Sequence, residues 1–198
     1  IGAHPGFDDL NGFGRRRIDN PDQVQLGASV VYQIGALSAI ARCCGTAVSH
    51  VKLHGAMANM ASEDSQLAHC LVSAIRDYDP SLAVVAMAST ALQSQTEALS
   101  QPLLREVYAD RAYNDDGTLM SRNMPGSVIH DPELAADRVL AMIETQSITS
   151  VNGASISVVP ETVCVHGDTP GAVAMAEKLR RSLEANAVVI APYRVNRS

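Results

Sequence analysis

Three short apolar runs in this chain each lead into a histidine with a glycine or proline beside it and an acid or a lysine nearby. Residues 1–3 run into His4-Pro5 and then Asp8-Asp9. Residues 48–51 run into Lys52 and His54-Gly55. Residues 163–165 run into His166-Gly167-Asp168. Imidazole together with carboxylate can hold Zn or a similar ion, or can move protons around a polarised carbonyl, and spacing alone does not separate the two uses. The candidate metal ligands are His4, Asp9, His54 and His166, with Asp168 as a further carboxylate. A single strand-end histidine can equally be a hydrogen-bonded structural residue, but three in equivalent positions favour chemistry. Lys52 adds to this. Only Lys52 and Lys178 are lysines among the 15 basic residues, and an ammonium closing an apolar strand needs a partner or a task. His50 shares the pleat phase of Lys52 and either faces the same side or packs. His69 and His130 read as structural or solvated.

Two further segments are polar in a way that could serve a ligand. Gly12-Phe13-Gly14-Arg15-Arg16-Arg17 is a glycine-bracketed turn that could hold an anion through backbone amides and a guanidinium, or could be a solvated charge run. Glu106, Asp110, Arg111 and Arg122 lie in a long polar stretch, residues 101–129, that reads as a loop excursion. Asp110 beside Arg111 is either a surface ion pair or part of a lid over a site. There is no phosphate-binding loop of the G-x-x-x-x-G-K-[ST] kind, no H-E-x-x-H and no G-x-S-x-G.

The elements that must position these groups alternate between β-type runs and helical patterns. Strands are predicted at 48–52, 82–87, 155–159, 163–166 and 187–191, and residues 1–3 read as the tail of another. Helices are predicted at 22–44, 63–78, 132–146 and 170–186. Ser62, Asp131 and Thr169 suit their N-caps, Pro132 and Pro170 their first turns, and Gly45 the end of the first. This rhythm gives an α/β fold with a mainly parallel sheet, barrel or doubly wound, in which ligands bind at the carboxyl ends of the strands. With 198 residues, 46% of them hydrophobic and 18% charged, the chain suits one domain with a packed core. A net charge of -6 argues against nucleic acid as a partner. The absence of Trp and the presence of only two Phe disfavour a stacking platform for sugars or bases. Four cysteines without a C-x-x-C suit reduced thiols, and the longest unbroken apolar runs, such as residues 83–88, are too short to span a bilayer. The expectation is a cytoplasmic protein with no membrane association.

Several blocks, in order along nearly the whole chain, resemble the LamB/YcsF family. They are His4-Pro5-Gly6-Phe7 through Asp9 to Gly12-Phe13-Gly14-Arg15-Arg16; Tyr32-Gln33-Ile34-Gly35-Ala36-Leu37; His50-Val51-Lys52-Leu53-His54-Gly55-Ala56 with Asn59; Glu106, Ala109-Asp110-Arg111, Tyr113 and Arg122; and residues 162–168 with Pro170. The resemblance implies a (β/α) barrel-like fold, similar to that of the glycoside hydrolase/deacetylase superfamily. It implies ATP-dependent opening of the 5-oxoproline lactam to L-glutamate, carried out with 5-oxoprolinase subunits B and C, and it leaves a divalent metal, Mg or Zn, open. A lactam carbonyl is a poor electrophile that phosphorylation of its oxygen would activate, and ring opening then needs a positioned water and a proton for the leaving nitrogen. On that reading Lys52, His54, His166 and Asp168 are catalytic, and His4, Asp9, Arg15, Asn59, Glu106, Asp110, Arg111 and Arg122 bind substrate or anion. Family members carry further βα units upstream, so the single barrel-like domain at 1–198 is expected to be N-terminally truncated. Leu53 and Ala58 stand where the family has Pro and an aromatic, which loosens the expectation of substrate more than that of fold. The rival expectations are a metal-dependent amide or N-acetyl hydrolase of deacetylase type and a non-catalytic substrate-binding subunit.

Overall fold

Runs of β-branched and small apolar residues between amphipathic helices form parallel strands here. The computed structural model describes residues 1–168 and 170–193. The strands are β1 (Gly2–Ala3), β2 (His50–Lys52), β3 (Ala83–Met87), β4 (Leu103–Tyr108), β5 (Ser147–Thr149), β6 (Ser155–Ser157) and β7 (Thr162–Cys164). The helices are α1 (Gln23–Cys43), α2 (Gly55–Glu63), α3 (Ser65–Tyr78), α4 (Ala91–Ala98), α5 (Pro132–Thr145) and α6 (Ala172–Ala185). Five strands form one sheet in the order β1-β2-β3-β4-β7, and β5 and β6 form a separate two-stranded ribbon. The α/β class with a parallel sheet is the one expected, with five strands as in half of a (β/α) barrel. The chain divides into two compact units, one mainly Ile1–Ala86 and Thr90–Leu104, the other Met87–Ser89 and Arg105–Pro192.

In the first unit β1 runs parallel to β2, with Gly2 opposite His50 and Ala3 opposite Val51. β2 runs parallel to β3, with Lys52 opposite Val85, and the Val84 N–H donates to Pro102 O at 2.7 Å, just before β4. Every residue of β3 is buried, as a central strand covered on both faces requires. Val30 and Ile34 of α1, Val51, Met57 of α2, Leu71, Val72 and Ile75 of α3, and Val84 share one core. α1 lies against α3 at Gly27, where a Cβ would already stand 3.3 Å from the Ala74 methyl. By length and composition α1 could also cross a membrane, but its Leu26, Val30 and Ile34 are packed into this core.

In the second unit β4 runs parallel to β7, with Glu106 opposite Thr162 and Tyr108 opposite Cys164. α5 packs on α6 through Ala135, Val139, Met175, Leu179 and Leu183, which also cover Ala109. Ile148 and Ile156 of the ribbon join Val107, Tyr108 and Tyr113 in a second cluster.

Several sequence-based expectations need correction. The stretch 101–129 is no mere excursion: it opens with β4, a core strand, and continues through short bridges pairing Arg111 with Val128 and Tyr113 with Leu119. α2 and α4 were not anticipated. Ser62 lies inside α2, its Oγ donating to Ala58 O, and Asp64 caps α3 by accepting from Gln66 N and Leu67 N. Asp131 caps α5 as expected; Thr169 lies outside the described residues, and Gly171 precedes α6. No strand forms at 187–191 among the described residues. There the Val188 N–H turns back to Leu183 O at 2.9 Å and closes the end of α6. The 155–159 run forms β6 of the ribbon rather than a strand of the main sheet.

Tyr113 ties the segment after β4 to the strand itself, because its hydroxyl accepts from the Tyr108 N–H at 2.7 Å in a buried environment. Tyr113→Phe leaves that N–H without its partner. It should cost about 1–3 kcal/mol, read as a lower urea midpoint with an unchanged slope.

Candidate functional site

The first unit gathers His4, Lys52 and His54 around the ends of β1 and β2. The turn that carries His4 is pinned by Gln33 of α1: Gly6 N–H donates to Gln33 Oε1 at 3.0 Å and Gln33 Nε2 donates to Gly6 O at 2.9 Å. The His54 ring sits against two glycines, Gly6 and Gly14, where a Cβ would come within 3.2 Å and 2.9 Å of its Cδ2. Gly14 has φ +66° and Gly55 φ +56°. Both take the left-handed conformation that glycine adopts freely, and this lets Ala56 N donate to Gly14 O at 2.9 Å.

The two rings form a chain of contacts. His4 Nδ1 lies 2.7 Å from Lys52 O, His4 Nε2 lies 2.9 Å from His54 Nδ1, and His54 Nε2 lies 2.6 Å from Phe13 O. His4 is exposed, while His54 and Lys52 are half-buried. His50 is half-buried as well, and its ring occupies the space a Gly2 side chain would need. Burial holds the His50 imidazole below its ordinary value, with Lys52 acting in the same direction.

The glycine turn differs from the anion cradle that its composition suggests. Asp9 accepts from Gly12 N at 3.0 Å and from Arg16 Nε at 3.0 Å, and the Arg16 hydrogen bond holds its carboxyl below the usual range. Gly14 N donates to Asp9 O and Arg15 N to Gly12 O, so the amides that would cradle a phosphate are already paired. Arg15 lies over the Phe13 ring at 5.2 Å. Arg17 pairs with Glu63 at 2.8 Å, and Asn59 is exposed on α2.

The second unit contains an acid–histidine pair. Asp110 is 1% exposed, and its two carboxylate oxygens lie 3.0 Å and 2.8 Å from His166 Nδ1. Burial opposes its charge, but the His166 hydrogen bond and the charges of His166 and Arg122 outweigh it and keep the carboxyl below the usual range. Nδ1–H donation to the carboxylate fixes the tautomer: whenever the ring is neutral, its lone pair is on Nε2. Tyr108 lies beside the His166 ring, with centroids 5.6 Å apart; burial first, then the Glu106 charge, pushes its phenol well up. Glu106 is buried on β4. Arg111 donates to Ser127 O and Met120 O, and Arg138 to Ala109 O and Arg111 O. These two guanidiniums therefore knit main chain together, and burial lowers both. Arg122 and Asp168 are exposed.

Of the residues expected to do chemistry, His4, Lys52 and His54 meet in the first unit, and His166 and Asp110 meet in the second. Asp9 and Arg111 are committed to holding their own loops. Among the described residues, no group of three or more His, Cys, Asp and Glu side chains is placed to hold a metal ion. His4 and His54 direct their ring nitrogens at each other and at carbonyls rather than at a common point. Tyr108 and Arg138 were missed. Tyr108 stands two residues beyond Glu106 on the same face of β4, a signal hidden by reading that strand as a loop.

A parallel sheet carrying histidines and acids at its strand ends places the chain in the α/β class. The model of the LamB/YcsF family matches residues 1–198, and the chain belongs to that family. It is 50% identical over 193 residues to a 5-oxoprolinase A subunit of Rhodopseudomonas palustris, covering 98% of this chain and 76% of the relative. It is 42% identical over 198 residues to one of the 5-oxoprolinase A subunits of Pseudomonas syringae pv. tomato, covering 100% and 77%. Among solved structures, the lactam utilization protein of Thermus thermophilus superimposes with a TM-score of 0.89 at 37% identity, covering 98% of this chain and 76% of that one.

A carboxyl held low in the folded state stabilises it above the unfolded value of ~3.9, and that contribution is lost as pH falls through the lower folded value. Asp110→Asn should therefore flatten the fall in stability below about pH 4. At neutral pH it should cost about 1–3 kcal/mol from the buried partner group it leaves. Urea unfolding of wild type and variant across pH reads both effects.

Proposed function

We propose that this chain is the A component of an ATP-dependent 5-oxoprolinase, opening the lactam of 5-oxo-L-proline to L-glutamate together with subunits B and C. Membership of the family and the names of its relatives support the substrate class; the observation that carries the chemistry is the buried Asp110–His166 pair. Asp110 orients His166, whose Nε2 takes a proton from the attacking water. Lys52 stabilises negative charge developing on the carbonyl oxygen or on a phosphoryl group attached to it. His54 supplies a proton toward the leaving nitrogen, and Glu106 and Asp168 position polar groups of the substrate. ATP supplies phosphoryl activation of the lactam oxygen in this reading. The paired amides of the glycine turn do not fit a phosphate cradle, so no step is routed through a nucleotide on this segment.

The test is reconstitution with subunits B and C, following glutamate and ADP release from 5-oxoproline. Loss of a general base typically lowers turnover by about 10²–10⁴-fold, and His166→Ala should fall in that range. Wild-type turnover in the His166→Ala complex overturns the assignment of the base, and no 5-oxoproline turnover by the wild-type complex overturns the reaction.

A further inference from the structure

The contacts of His4 and His54 fix more than their orientation. Lys52 O and Phe13 O are carbonyl oxygens and only accept, so His4 Nδ1 and His54 Nε2, at 2.7 Å and 2.6 Å, must both be protonated donors. A neutral imidazole carries one N–H. Two neutral rings would then turn bare lone pairs at each other across the 2.9 Å between His4 Nε2 and His54 Nδ1, a repulsive contact. Three hydrogen bonds need three protons, one more than two neutral rings hold.

We propose that His4 and His54 share this third proton and act as one cationic acid, with the proton between His4 Nε2 and His54 Nδ1. The pair is preorganised from both ends. Gly6 and Gly14 leave no slack around the His54 ring, and Gln33 fixes the turn that carries His4. The two ring nitrogens stand closer together than two ligands of one Zn ion would. Zn–N bonds of ~2.0–2.1 Å place two nitrogens of one tetrahedral ion about 3.3 Å apart, and the ion would have to displace the proton and spread them.

Charged groups near the pair include Asp8, Asp9, Arg15, Arg16 and Arg17 on the loop after His4, Lys52 on β2, and Glu63 of α2, which pairs with Arg17. On the preceding loop, Asp9 and Arg16 are paired with each other and Arg15 lies over Phe13. On β2, Lys52 adds positive charge, and His50 hydrogen-bonds Ser49 Oγ through Nδ1 at 2.9 Å. The bridging proton is the mobile one, since the other two are held on carbonyls. Its use rests on the lactam-opening reading: the bridging N–H bond breaks as the leaving nitrogen takes the proton, two neutral rings remain, and solvent hydronium restores the proton, balancing the one that the attacking water gives up. The existence of the shared proton does not depend on that reaction.

The experiment is NMR of this chain labelled with ¹⁵N-histidine, recorded at about pH 8, above the ordinary histidine value of ~6.5. The expected result is three protonated nitrogens across the two rings, with a downfield bridging proton coupled to one of them. That proton should vanish in His4→Gln, leaving His54 a neutral ring with one N–H. One N–H and one bare nitrogen on each wild-type ring at that pH overturn the shared proton. In the reconstituted complex, His4→Gln should shift the alkaline limb of the pH–rate profile as well as lower turnover. An unshifted profile, with the wild-type bridging resonance present, overturns the role as acid. Absence of 5-oxoproline turnover by the wild-type complex overturns the reaction reading and leaves the NMR result standing.

Discussion

The arrangement in the first unit depends on the contact between the glycine turn and the start of α2. Gly14 O receives the Ala56 N–H, and Phe13 O, one residue earlier, faces His54 Nε2. One short stretch of main chain thus satisfies an N-terminal helix amide, which has no partner within the helix itself, and holds the catalytic candidate next to it. The contact requires two adjacent backbones to come very close. A Cβ on Gly55 would meet Gly14 O at 2.6 Å, so the glycines mark a steric requirement rather than flexibility. Asp9 supports the turn from below through Gly12 N and Arg16. Its carboxylate is a fastener for the loop, although its type and place in the sequence suggest a ligand.

The second unit meets a different physical demand, that of keeping charge in a buried place. Asp110 keeps its charge because His166 hydrogen-bonds it and Arg122 lies within electrostatic reach. Arg111 and Arg138 keep theirs through carbonyl oxygens. A guanidinium presents several donors in a fixed fork, so each of these side chains can bind two turns of main chain at once. The segment after β4 consequently has order of its own, reinforced by the Tyr113 hydroxyl on β4. Such rigidity suits a region that must hold the Asp110–His166 pair to hydrogen-bonding tolerance.

How legible this was in the sequence depends on the kind of interaction. Strand ends were visible because apolar runs stop at His4, Lys52 and His166, and side chains of that chemistry at such places point to a site. A helix with an acidic cap was visible at Asp131, while the Asp22 cap of α1 was not read as one. β4 was hidden because Arg105 and Glu106 interrupt its apolar pattern; Arg105 pairs with Glu161 at 3.1 Å, a partner 56 positions away that no local window contains. The glycine turn was misjudged for the same reason. Its composition matches an anion cradle, but whether its amides are free depends on Asp9 and on the fold of the turn. The run that forms β6 carried the right pattern but no mark of which sheet it joins, and its ribbon partner β5 was not anticipated.

The two histidine arrangements also differ in what their partners leave available, each within its own unit. Asp110 can only accept, so it draws the Nδ1 proton of His166 and leaves the opposite nitrogen as a base. His4 is itself an imidazole with its far nitrogen donating to Lys52 O, so it can meet His54 only across a proton. On the proposed lactam-opening reading, His166 takes the proton of the water and the His4–His54 pair gives one to the leaving nitrogen. Each preference follows from the groups around its own histidine: Asp110 for His166, and Lys52 O, Phe13 O and the partner ring for the His4–His54 pair.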